Sequence, residues 1–182
     1  MRTYEVTITG SAPGLLMHRF DLEAEAEVQT KVKKTARKDD TPESQAARGA
    51  YSFDDGGLYQ PAEHIYQALC KAASWFRVPG QGKKTYKDAI KGNILIEPEC
   101  IPHGVSSYKI DSRPVRIQRA RVVRHRPHLP QWSLAFTIQV IDGDTVPGEV
   151  LNSILVTAGQ SVGIGDYRPR FGRFTVTQFK AA

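Results

Sequence analysis

Cysteine is scarce in this chain. Cys70 and Cys100 are the only two in 182 residues and lie far apart, which rules out a disulfide framework and a Cys-x-x-Cys metal pair. No apolar run approaches the ~20 residues of a membrane-crossing helix. The opening Met1-Arg2-Thr3-Tyr4-Glu5 shows no apolar stretch followed by a small-residue cleavage site, so a cytoplasmic location without membrane contact is expected. Fifteen glycines and eleven prolines are too few for a collagen-like or low-complexity chain. What remains, 40% apolar and 24% charged, suits one globular domain over 1–182 with a core of its own.

The most informative absence is local. From Arg113 to Arg126 there is no Asp or Glu, while arginines stand at 113, 116, 119, 121, 124 and 126. Overall, 25 Lys and Arg face 19 Asp and Glu, a net charge of +6, so this one segment carries the whole excess. Such a concentrated positive field favours acidic partners, nucleic acid first.

Alternation and β-branching mark a strand over Tyr4–Gly10, followed by a turn at Ser11-Ala12-Pro13-Gly14. Asp21 can cap a helix with Glu23, Glu25 and Glu27 in its first turns and Lys31, Lys33 and Lys34 near its end. That helix has too few apolar residues to face a core. Residues 35–50 read as polar and mobile, so 21–50 is expected to be an exposed insertion. Pro61 and Pro147 each open a helix. Ile65, Ala68, Leu69, Ala72, Ala73 and Phe76 share one face of the first, and Val150, Leu151, Ile154, Leu155 and Ala158 one face of the second. Asn93–Glu97, Trp132–Val140 and Phe174–Phe179 read as strands. The order strand, helix, strand, strand, helix, strand predicts an α+β, ferredoxin-like (RRM-like) βαββαβ core with an antiparallel sheet. A basic β-hairpin is inserted at 105–128.

Between the second helix and the last strand lies the loop 163–173, Gly163-Ile164-Gly165-Asp166-Tyr167-Arg168-Pro169-Arg170-Phe171-Gly172-Arg173. Gly163 and Gly165 let backbone amides approach a phosphate or base. Arg168, Arg170 and Arg173 supply charge, and Tyr167 and Phe171 supply rings for stacking. It is neither a P-loop nor a dinucleotide fingerprint, since no Gly-Lys-Ser/Thr follows and it leaves a helix for a strand. The competing reading is a plain helix cap and turn.

A basic Gly-x-Gly loop ending Phe171-Gly172-Arg173-Phe174 resembles the glycine-rich loop of the RAMP superfamily, the ferredoxin-like RNA-binding proteins of CRISPR effector complexes. Leu58-Tyr59-Gln60-Pro61-Ala62-Glu63-His64-Ile65 is similar to the segment where a strand of CRISPR backbone subunits enters the first helix, which there usually carries Gly-Ser-Ser in place of Ala-Glu-His. The resemblance implies a backbone subunit of such a complex, or a stand-alone or virus-encoded relative. Such a protein coats single-stranded RNA (or DNA) as a homo-oligomer or filament, with other effector subunits as further partners. As an extended ribbon, the stretch holding Arg113, Arg116, Arg119, Arg121, Arg124 and Arg126 sets a charge every two or three residues, near the spacing of successive phosphates. The alternative is a solvated edge that resists aggregation. In position the stretch resembles the hairpin or thumb that backbone subunits insert between neighbouring bases.

Arg19, in the loop after the first strand, adds to this basic surface. In the same loop His18 and Asp21 lie where the superfamily's nucleases place catalytic residues, so a metal-independent endoribonuclease is the alternative function. Asp21 also reads as a helix cap, and His18 as a quiet surface residue. Gly80-Gln81-Gly82-Lys83-Lys84 is either a phosphate contact or ordinary solvated surface. His103, His125 and His128 lack a carboxylate or thiol at ligand spacing, so no metal or cofactor is expected.

Overall fold

The computed structural model describes residues 1–19, 41–117 and 120–182. Its main sheet holds β1 (Arg2–Gly10), β4 (Ile94–Glu97), β8 (Ser133–Val140) and β9 (Phe174–Ala181), ordered β4-β8-β1-β9 with every pairing antiparallel. As the four core strands these run second, third, first, fourth, the ferredoxin-like arrangement that the element order predicts. Alternation drives it. Tyr4, Val6 and Ile8 of β1 and Leu134, Phe136, Ile138 and Val140 of β8 turn one face inward. Helices α2 (Ala62–Ala73) and α4 (Gly148–Thr157) cover that face with Ile65, Leu69, Leu151, Ile154 and Leu155, all fully buried. Pro61 and Pro147 stand one residue before their helices, as caps. Among the described residues no helix is long and apolar enough to cross a membrane.

A second sheet, β2 (Leu15–Leu16), β7 (Ala120–Leu129) and β6 (Lys109–Ile117), is built from the predicted hairpin and the segment after the first turn. A third pairs β3 (Tyr59–Pro61) with β5 (Cys100–Pro102). Two short helices complete the fold, α1 (Pro42–Gly49) and α3 (Lys87–Asn93).

The mobile reading of 35–50 is corrected over its second half. Thr41 Oγ1 accepts from Ser44 N at 3.2 Å, Pro42 opens α1, and Ala46, Gly49 and Ala50 are buried beside β7. A helix whose inner face is alanine and glycine leaves no large-residue stripe to read. The rest of the 21–50 insertion, with the helix expected to start at Asp21, lies outside the described residues apart from residues 41–50.

Candidate nucleic-acid interface

Helix α4 runs into a single π-type turn, Ala158–Val162, and ends at Gly163, whose N–H donates to Ala158 O at 2.8 Å. The glycine-rich loop is then folded on itself. Ile164 N donates to Gly172 O at 2.9 Å, Asp166 N to Leu16 O at 2.8 Å and Gly172 N to Gly14 O at 2.8 Å. Gly165 and Gly172 both have left-handed φ, +75° and +74°. A Cβ on Gly165 would stand 2.5 Å from Leu16 O, and one on Gly172 only 1.7 Å from Ile164 O. The sequence suggested glycines that admit a ligand. Here Gly165 admits the backbone of β2, and Gly163 and Gly172 admit the loop's own. Between the buried anchors Ile164 and Phe171, residues Tyr167, Arg168 and Arg170 reach solvent, and Arg173 follows exposed. Phe171, expected to offer a ring for stacking, is 1% exposed and serves as an anchor instead. Tyr167, 46% exposed, keeps its ring available.

Hairpin register decides which arginines are free. Residues directly opposite share a face, so Asp111, Arg113, Arg124 and Arg126 lie on one side of the ribbon. Ser112, Arg116, Arg121 and His125 lie on the other. The first side seats on the glycine-rich loop. Arg126 Nε lies 2.5 Å from Asp166 Oδ2, the Arg113 guanidinium lies 4.6 Å over the Phe171 ring, and His128 meets that ring edge-on at 5.8 Å. Arg126 is therefore a buried strut rather than a phosphate ligand, and Arg113 is tied to Asp111 at 2.6 Å. Arg116, Arg121 and Arg124 are exposed, with no carboxylate partner among the described residues. Arg116 stands directly opposite Arg121. Like charges so placed destabilise a ribbon, and a bound polyanion removes that cost. Arg119 lies outside the described residues. His125 and His128 bond Ser112 Oγ and Pro13 O, each at 2.7 Å.

Beside the base of the ribbon a group forms that the sequence did not announce. The Tyr51 hydroxyl donates to His18 O at 3.4 Å, and the rings of Phe53, Tyr59, Tyr51 and His64 follow one another at 4.7, 5.7 and 5.5 Å. Arg168 is close enough to depress His64, although burial is the main reason its pKa falls below the ordinary histidine value. Gln60, fully buried, bonds His64 Nδ1. The His18 ring reaches solvent yet is crowded by protein, and that desolvation lowers its pKa. Asp166 opposes the shift, while Arg126 and Arg124 add to it. Both shifts favour the neutral form of the ring. Arg19 is exposed in the same loop, its N–H donating to Gly49 O at 2.9 Å, and acts on Tyr51. Asp21 lies outside the described residues. His64 occupies the Ala-Glu-His stretch where the chain departs from the RAMP pattern, the one sequence signal that could have flagged it.

The outer face of the main sheet is different in character. Along one cross-strand row stand Glu97, Thr137, Glu5 and Lys180, and a depression of about 920 Å³ there is lined by Glu5, Leu95, Glu97 and Glu99 among others. RRM proteins stack bases on sheet aromatics. This face offers carboxylates instead.

No family model matches the sequence, and no curated protein does. Among solved structures the fold is similar to a chain in the cryo-EM structure of the type III-B Cmr-beta bound to cognate target RNA, with a TM-score of 0.58 and 10% identity. The match covers 99% of this chain and 60% of that one, so this chain spans about three fifths of its neighbour's length. At that identity the likeness establishes a shared fold.

Proposed function

We propose that this chain binds single-stranded nucleic acid, RNA foremost, across the hairpin and the glycine-rich loop. Copies coat the strand head to tail, in the manner of a CRISPR effector backbone subunit or a stand-alone or virus-encoded relative. The observation that carries the reading is the set of exposed arginines with no carboxylate partner among the described residues, Arg116, Arg121, Arg124, Arg168 and Arg170, gathered on hairpin and loop while the outer sheet face carries Glu5, Glu97 and Glu99. The fold shared with an RNA-bound Cmr-beta chain supports RNA as ligand and other effector subunits as partners. Two unlike charged surfaces on one copy favour a heterologous contact, and such a contact propagates along a strand where its rotation does not close into a ring.

The test is binding of a labelled single-stranded oligonucleotide, RNA against DNA, over a salt series. Several neutralised phosphates require affinity to drop on the order of a thousandfold over a fourfold rise in salt. A flat salt response refutes the reading, and electron micrographs with and without RNA report the array directly.

A second reading, a metal-independent endoribonuclease, rests on His18, an exposed imidazole within electrostatic reach of Asp166 that would act as general acid or base on a 2′-hydroxyl. Defined cleavage in chelator that is lost in His18→Asn favours it. Retention of intact RNA favours coating.

A further inference from the structure

Trp75 lies just past the end of α2 with 52% of its surface exposed, whereas Trp132, the second tryptophan of the chain, is 7% exposed and packs edge-on against Phe174. Gln67, Lys71 and Trp75 follow each other at i, i+4, i+8 and form one wall of a groove of about 470 Å³. Ser161, Val162, Arg168 and Pro169 form the other wall. Among the described residues no acidic side chain lines the groove. Glu63, one turn before Gln67, is bonded by Gln67 Nε2 at 2.5 Å. An exposed indole in a groove also lined by two cations, Lys71 and Arg168, offers a face for a base and charge for a phosphate.

We propose that this groove is a nucleotide subsite, taking one base of a single strand on the Trp75 indole with the adjoining phosphate between Lys71 and Arg168. The inference rests on the strand-binding reading above and extends it with a place and a direction. Arg168 belongs both to this groove and to the surroundings of His64, so it joins the hairpin region to the end of α2. Beyond Trp75, Arg77 pairs with Thr85 across a tight loop closed by Val78 N donating to Lys84 O at 2.9 Å. That loop carries Lys83 and Lys84 onward. The strand thus runs along the helix end and the loops, away from the acidic sheet face.

The experiment titrates the full chain with a labelled oligouridine, following anisotropy and tryptophan emission together, for the parent, Trp75→Ala and Trp75→Phe. Loss of one stacked base predicts affinity reduced roughly 5- to 150-fold in Trp75→Ala. Trp75→Phe should retain most of the binding. Parent emission should be quenched by oligouridine and not by inorganic polyphosphate, which offers charge without a base, and the quench should vanish in Trp75→Phe. Circular dichroism establishes that both variants fold. If oligouridine binds but emission is unmoved and Trp75→Ala binds like the parent, the subsite is refuted while the strand-binding reading stands. An emission shift that follows protein concentration rather than RNA assigns the groove to contact between copies and overturns the proposal. Absence of oligouridine binding at any salt overturns both.

Discussion

Replacing Arg116 and Arg121 together by glutamine separates a phosphate grip from a structural ribbon. The two guanidinium groups stand directly opposite across β6 and β7, exposed and without a carboxylate partner among the described residues. Like charges so placed cost the fold about 0.2–1 kcal/mol, so their removal leaves stability unchanged or raises it by at most that amount. For a chain of this size that is at most roughly 2–4 °C in Tm. The binding arithmetic has the opposite sign. Two lost charged contacts of about 1–2 kcal/mol each weaken affinity roughly 30- to 1,000-fold. Each phosphate released also lowers the slope of log K against log salt by about 0.7, so the double variant should lose about 1.4 of slope. Anisotropy with a labelled oligonucleotide between 50 and 200 mM salt, roughly the range over which such slopes are resolved, measures both quantities, with calorimetry on the same samples. Lost affinity at an unchanged slope means these arginines do not touch phosphates. A Tm fall of several degrees means the ribbon needs them for folding.

Three further expectations probe other parts of the structure. His103 has both ring nitrogens buried without a hydrogen-bond partner among the described residues, and burial lowers its pKa to about 4. Below pH 6.5 the unfolded chain takes a proton that the folded ring refuses, so about 3 kcal/mol of stability present above that pH is lost as pH falls toward 4. Urea unfolding at several pH values should show His103→Leu losing less than the parent over this window, and parallel curves reject the idea. Asp166→Asn strands the buried Arg126 charge and should cost about 3 kcal/mol, against which a loss below about 1 kcal/mol in denaturant titration argues. Gly165→Val forces a branched side chain into left-handed φ against Leu16 O and should lower Tm and abolish binding, whereas Arg170→Ala should weaken binding by about 1–2 kcal/mol at unchanged Tm. Matching behaviour of the two variants means the loop contributes charge alone.

The core was legible because its signals are local. Period-two alternation in β1 and β8 and the apolar stripes of α2 and α4 mark each element within its own residues, and element order then fixes the sheet. Helices α1 and α3 escaped notice because their inner faces are small or short, with Ala46 and Gly49 buried in one and Ile90 in the other. The basic hairpin and the loop were visible as charge, but which groups work was not. Nothing in composition distinguishes Arg126, locked to Asp166, from Arg124, which has no carboxylate partner among the described residues, since register and a contact far along the chain decide it. Phe171 and Tyr167 look alike in sequence, yet one is a buried anchor and the other a surface ring. The ladder from Phe53 to His64 forms only when β3, the start of α2 and the preceding loop meet, so no linear pattern announces it.

The clamp on the hairpin also imposes an order of events during synthesis. Asp166 and Phe171, which seat Arg126 and Arg113, leave the ribosome long after the hairpin itself, and β9 must still follow to close the sheet beside β1. Until Asp166 and Phe171 are clear, the arginine ribbon is paired with β2 and backed by α1 but lacks the clamp that holds Arg126 and Arg113. Until β9 follows, the sheet has an unfilled position beside its first strand. Contacts this distant in sequence form slowly and late. A nascent chain therefore carries its positive charge before it owns the loop that orients it.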